Sequence, residues 1–258
     1  MSNVTKGTSV VVGEILKKHV PLAVLILLFV LFFAFRLDQY LSFDFFSENR
    51  DRLLEFVQQN YVASISLYFF LYVIAVAASL PGGLLLTICG GFLFGWIVAG
   101  MVTVVAATIG ATVLFLIAVS SIGDLLRQKA GPWLGRLEKG FQENAMNYLL
   151  FLRLVPAFPF WLVNIAPAFL GVSLRTYIIG TFFGIIPGTF VFAYLGTGLD
   201  SVIVEQQKKV AVCTAGGGAD CAQSFDVGSL VTKEIILSFV ALGVVSLIPI
   251  VVKRFRKI

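Results

Sequence analysis

Long apolar runs, rather than alternation or a single amphipathic stripe, organise this chain. Six stand out, at roughly 20–36, 61–79, 84–118, 148–171, 176–199 and 234–252. No charged side chain occurs from residue 56 to residue 123. At about 20 residues per crossing, that stretch holds three passes at most. It is punctuated by SLPGG (79–83) and GGFLFG (90–95), so the third run is expected to break near Gly90, Gly91 and Gly95. The stretch 41–60, LSFDFFSENRDRLLEFVQQN, instead mixes charged and apolar residues at helical spacing. It predicts an amphipathic interfacial helix with Ser47 as a candidate cap.

The run 148–171, YLLFLRLVPAFPFWLVNIAPAFLG, is apolar enough for lipid yet holds Arg153, Pro156, Pro159, Asn164 and Pro167. Its prolines remove three backbone donors, which predicts two half-helices and an irregular turn. Non-helical backbone at membrane depth has to be enclosed by protein or water. Half-helix ends aimed inward then offer N–H groups and positive dipole ends to an anion. Arg153 has two readings. It snorkels to the nearby interface, or it is a counter-charge for an anionic lipid phosphate or substrate in a polar cavity. The second is weighty because a charge at mid-bilayer costs about 2.5–3.5 kcal/mol. Asn164 either caps a half-helix or lines the cavity, and Arg175 reads as an interface anchor.

A weak internal repeat points the same way. LPGGLLLTICGGFLFG (80–95) and VPAFPFWLVNIAPAFLG (155–171) both open with an apolar residue and proline, and both end on aromatic or apolar residues before glycine. Each leads into a glycine-rich span. Paired interrupted segments in corresponding halves mark the binding site of inverted-repeat transporters.

Both ends are basic: Lys6, Lys17 and Lys18, then Lys253, Arg254, Arg256 and Lys257. The positive-inside rule places both in the cytoplasm, so the number of crossings is even. Six crossings would put the basic loop 119–147 (Arg127, Lys129, Arg136, Lys139) outside. Four crossings with two re-entrant hairpins put it inside, account for the Pro and Gly clusters, and are favoured. The fold expected is an all-α integral membrane protein with four transmembrane helices, two opposed hairpins in an inverted repeat, and an interfacial helix.

Composition agrees: 59% of residues are hydrophobic, 13% are charged, and the mean hydropathy is +0.96. Soluble domains are about a quarter charged. The net charge of +5 sits in tails and one loop, which fits orientation signals better than nucleic-acid binding. VPLAVLILLFVLFFAF (20–35) lacks a small-residue cleavage pattern and reads as a retained first transmembrane helix. Cys89 reads as a packing residue. Cys213 and Cys221 flank TAGGGAD, a polar loop; they form a disulfide if it faces an oxidising compartment, or stay unpaired. Zinc does not fit two thiols without a histidine. No H-E-x-x-H, G-x-S-x-G or Cys-His arrangement occurs, so no enzyme activity and no cofactor are expected.

The segments LPGGLLLTICGGFLFG and FLRLVPAFPFWLVNIAPAFLGVSLRTYIIGTFFGIIPGTFVFAYLG resemble the VTT-domain superfamily, also called SNARE-associated Golgi proteins or DedA. The likeness is nearest to its branch of Golgi vesicle proteins and covers about residues 60–200. It rests on Phe151, Arg153 and Pro156 in F-x-R-x-x-P, with Pro159, Asn164 and the later GTFFGIIPGTF. The resemblance implies facing re-entrant hairpins and a role in moving lipids. It assigns Arg153, Pro156, Pro159 and Asn164 to the second hairpin, and Pro81, Gly82, Gly83 and Gly95 to the first, as substrate-binding candidates.

Acidic residues found in or near the first hairpin of proton-coupled bacterial members are missing here, which favours an uncoupled pathway. The chain is then read as a cytoplasmic tail (1–19), a first transmembrane and interfacial helix (20–60) and a VTT-like core (61–199). The core's hairpins lie at about 61–95 and 148–171. An extracytoplasmic loop with the cysteine pair (200–233) and a last transmembrane helix with a basic tail (234–258) follow. The function expected is a scramblase-like translocase of anionic lipid headgroups, phospholipid or polyprenyl phosphate. The partners are membrane lipids, with no nucleic acid, and the site is a bacterial inner membrane. The alternatives are a secondary transporter of a small solute or anion, and an envelope-homeostasis factor without transport.

Overall fold

The computed structural model describes residues 20–36, 49–121, 141, 144–155, 158–198 and 240. The principal elements there are α-helices: α1 (Val20–Ala34), α2 (Arg50–Gln59), α3 (Tyr61–Ala77), α4 (Gly83–Phe94), α5 (Trp96–Ser121), α6 (Ala145–Leu154), α7 (Phe160–Phe169) and α8 (Leu174–Thr197). The 26-residue α5 and 24-residue α8 are long and apolar enough to cross a membrane. At 1.5 Å per residue, each exceeds the roughly 30 Å of hydrocarbon. The first apolar run appears as α1. The last run, the loop with Cys213 and Cys221, Ser47 and Pro156 lie outside the described residues.

Helix α2 carries Arg50, Asp51, Arg52 and Glu55, and meets α3 at a bend of 113°. A charged helix turned sharply away from an apolar one is the geometry of an interfacial segment. It starts at Arg50, with Asn49 at the N-cap position and no side-chain capping bond.

Helices α3 and α4 form the first hairpin. The ring of Tyr61, at the start of α3, sits 6.1 Å from that of Phe94, at the end of α4, so α4 returns to the level where α3 began. The turn is built by a Schellman motif: Ser79 N–H donates to the Val76 carbonyl at 3.0 Å and Leu80 N–H to the Ala75 carbonyl at 2.8 Å. Ser79 takes the left-handed position (φ 52°) that glycine normally fills there. Contrary to the sequence expectation, Gly90 and Gly91 do not interrupt α4, which runs unbroken to Phe94. They are packing positions: a Cβ on Gly90 would collide with Tyr68, and one on Gly91 with the Ala193 backbone of α8. The break comes at Gly95, whose φ of 78° lets α5 depart in the opposite direction.

Helix α5 runs parallel to α3, since Tyr68 reaches Thr103 while Val73 and Val76 face Gly110. Likewise α6 runs parallel to α8, with Met146 and Leu149 at Gly180 and Arg153 at Gly184. Helices α5 and α8 are antiparallel: Phe190 meets Gly100 and Tyr177 meets Ala111. The unit α3–α4–α5 is therefore repeated, in the opposite sense, as α6–α7–α8.

The packing respects that exchange. Helix α3 lies on α5 as α6 lies on α8, α4 packs on α8 as α7 packs on α5, and α5 packs on α8. One pair departs from it: α4 packs on α5, whereas α7 barely touches α8.

Candidate functional site: a guanidinium cluster in the second hairpin

Helix α6 ends at Leu154 and α7 begins at Phe160. Pro159 is the N-cap of α7, where its missing N–H costs no helical bond. Pro167 does not break the segment as the sequence suggested. It sits inside α7, two residues from its end.

Arg153 lies in the last turn of α6, where a cation complements the helix dipole. Its backbone approaches α8 closely because Gly184 has no side chain; a Cβ there would stand 2.8 Å from Arg153 Cβ. Gly180 does the same for Leu149, one helical turn earlier. This small-x-x-x-small face, from the GTFFG of the sequence, sets the guanidinium against α8.

Its donors are used on neutral acceptors. Nη1 donates to Asn164 Oδ1 at 2.7 Å, and Nη2 to the Tyr177 hydroxyl at 3.1 Å and Thr181 Oγ1 at 3.0 Å. The guanidinium carbon lies 5.7 Å from the Tyr177 ring centre, and that ring stacks on Phe115 of α5 at 4.3 Å. The Tyr177 hydroxyl has the carbonyls of Asn164 (3.2 Å) and Ala111 (3.3 Å) within reach of its own proton. Asn164, Tyr177 and Thr181 are fully buried.

Among the described residues, no carboxylate pairs with Arg153. Its Nε and Asn164 Nδ2 are buried without a hydrogen-bond partner. Buried donors without acceptors are rare and costly, and two within one bonded pair mark a place that, among the described residues, is short of acceptors.

Depth separates the two sequence readings of Arg153. Tyr177 bonds at the level of Ala111, near the middle of α5, and α5 keeps large apolar residues on its exposed face from Ile97 to Val119. The guanidinium is held inside the apolar length of the bundle rather than at its edge. Asn164 likewise lies within α7 and caps nothing. Arg175 is exposed at the start of α8.

The first-hairpin candidates fall elsewhere. Pro81, Gly82 and Gly83 form its turn, and Gly82 has a φ of 113°. Gly95 is the α4–α5 joint. None of the four contributes a bond to Arg153. The turn residues Pro81, Gly82 and Gly83 share a depth with the Arg153 cluster, since the end of α3 packs on Gly110 and Tyr177 on Ala111, consecutive residues of α5, whereas Gly95 lies at the other end of the hairpin.

Sequence reasoning missed Tyr177 and Thr181. Their spacing of four, interleaved with Gly180 and Gly184, was the available signal: two hydroxyls and two glycines on adjoining faces of an apolar helix. It missed the neutral counterpart in the first unit as well. There Tyr72 hydroxyl bonds Thr87 at 2.9 Å and Tyr68 hydroxyl bonds Thr103 at 2.6 Å.

Comparison with known proteins places this architecture. Residues 80–198 match the VTT domain. The chain is 28% identical over 211 residues to the Transmembrane protein 41 homolog of Dictyostelium discoideum, covering 81% of this chain and 57% of that protein. It is 32% identical over 143 residues to Transmembrane protein 41B of Gallus gallus (54% of this chain, 53% of that one) and of Homo sapiens (54% and 49%). The chain spans about half the length of these curated relatives. No solved structure matches it. The VTT match runs from the turn of the first hairpin through α8, and the chain is an integral membrane protein that carries this domain.

Proposed function

We propose that this protein is a translocase of anionic lipid headgroups, with Arg153 as the counter-charge and no covalent catalysis. The observation that carries this is the uncompensated guanidinium within the apolar length of the bundle, ringed by Asn164, Tyr177 and Thr181. A headgroup phosphate oxygen could replace Asn164 Oδ1 as acceptor and bring the charge that the neutral ring lacks. The lipid tails would stay in the bilayer. Membership of a family with membrane and lipid roles supports the reading.

The basic tails favour cytoplasmic termini. The compared relatives are eukaryotic, which weighs against reading the membrane as a bacterial one.

The test is reconstitution into liposomes carrying a fluorescent anionic phospholipid in both leaflets, with an impermeant quencher outside. Loss of more than half the signal, abolished by Arg153→Ala, is the expected result. Equal loss in wild type and Arg153→Ala would overturn the role of Arg153. Protection of the inner half in both, with uptake of a small anion, would favour a solute transporter instead.

A further inference from the structure

An apolar cavity lies away from Arg153. It encloses about 710 Å³ between α1 and α2 on one side and the first hairpin on the other. That is a ligand-sized space. Its wall is almost wholly hydrocarbon, including Leu31 of α1, Phe56 of α2, Leu71 of α3, Leu93 of α4 and Pro81 at the hairpin turn.

One polar group breaks the pattern. Ser64 lines the cavity, is 6% exposed, and its hydroxyl has no partner among the described residues. About one turn of helix separates it from the α2–α3 bend, so it sits toward the charged end of the cavity. The Tyr68 hydroxyl, also on the wall, is already committed to Thr103 and the Leu86 carbonyl.

We propose that this cavity holds one acyl chain of a membrane phospholipid, with the Ser64 hydroxyl donating to the ester carbonyl. The dimensions fit: α4, which walls the cavity from Phe94 to the turn, is about 18 Å long, close to one leaflet's half of the roughly 30 Å hydrocarbon core. The chain's far end then rests at Leu80 and Pro81, the depth at which the end of α3 packs on Gly110. An empty apolar space of this size forfeits dispersion contacts on every wall, and an acyl chain restores them. This inference needs only the membrane location and is independent of the role given to Arg153.

The test uses the full chain in phosphatidylcholine vesicles with a trace of phosphatidylcholine bearing a diazirine on one acyl chain. After irradiation, adducts are mapped by mass spectrometry. Adducts at Leu86 and Cys89, which are buried from bulk lipid, are the expected result. Adducts confined to outward residues such as Val62, Phe70 and Val105 would overturn the proposal. Leu71→Trp, which fills the cavity, should lower the α4 adducts about tenfold. Ser64→Ala should lower them about threefold, the loss of one neutral hydrogen bond. Outward adducts serve as the internal standard for a folded protein. A diazirine fatty acid that labels α4 undisplaced by excess phosphatidylcholine would overturn the phospholipid assignment. Arg153→Ala should leave the α4 adducts unchanged, whatever it does to translocation.

Discussion

The two inverted units use one architecture for different ends. In α3–α4–α5, the contact between the hairpin and the long helix is closed by Tyr68, Tyr72, Thr87 and Thr103, each hydroxyl meeting another. In α6–α7–α8, the corresponding contact holds Arg153 on Asn164, Tyr177 and Thr181, with two donors left over. Among the described residues, the first arrangement is electrically neutral and satisfied apart from Ser79 at its turn and Ser64 on the cavity side, and the second holds a guanidinium that no carboxylate pairs. Packing differs in step: α4 is held by both long helices, whereas α7 leans on α5 and is tied to its own unit largely through Asn164. Within the charged half, α7 is less tightly packed than its counterpart α4.

The largest effect tests what both units share, the close contact of α4 with α8. Gly196→Val sets a side chain against the Ile88 carbonyl backbone, which cannot yield. A loss of about 3 kcal/mol or more is expected, read as disappearance of the monodisperse peak in detergent.

Next come substitutions that act on the charged half alone. Asn164→Ala removes the acceptor of a charged hydrogen bond, at about 1.5–3 kcal/mol, so a lowered melting temperature is expected while Arg153 stays open to an anion. Asn164→Asp separates stability from function. It supplies the missing carboxylate, so the fold should be retained while an anion no longer competes for Arg153; rapid headgroup movement in this variant would break the comparison.

In the neutral half, Tyr68→Phe removes two interhelical bonds, to Thr103 and to the Leu86 carbonyl. Such bonds in membranes average about 0.6 kcal/mol, and translocation should be unchanged. The smallest effect is Ser79→Gly. It relieves a left-handed serine whose hydroxyl is buried without a partner, so a gain of about 1 kcal/mol is expected, seen as a slightly raised melting temperature.

Much of the fold was legible. The apolar runs located α1, α3, α5 and α8, because lipid demands continuous apolar length and little else does. The proline- and glycine-rich segments located both hairpins, and the weak repeat gave the two units. The glycines were misjudged: a pattern reading takes Gly90 and Gly91 as a break, although a helix facing two neighbours closely needs them intact. Pro167 was misjudged for a related reason, since a proline near a helix end removes few bonds.

The candidate site was half legible. Arg153 announced itself by its cost in lipid, and Asn164 by standing beside it in the same run. Their bond, at 2.7 Å, could not be read from a spacing of eleven residues that includes a turn. Tyr177 and Thr181 look like ordinary hydroxyls in an apolar helix until α6 is laid against Gly180 and Gly184. Likewise Pro81 and its neighbours were grouped with Arg153 by resemblance, and the fold puts them at the same depth but against the apolar cavity.

What the sequence determined alone is membrane residence, the places of the two hairpins and an arginine within an apolar run, since each follows from local solvation of the residues concerned. Only the tertiary structure decided which neutral groups receive that arginine and that one half is sealed while the other is, among the described residues, short of acceptors. It also decided that an apolar cavity separates α1 from the first hairpin. Those depend on which faces meet, and in a chain this uniformly apolar no hydrophobic stripe tells one helix face from another.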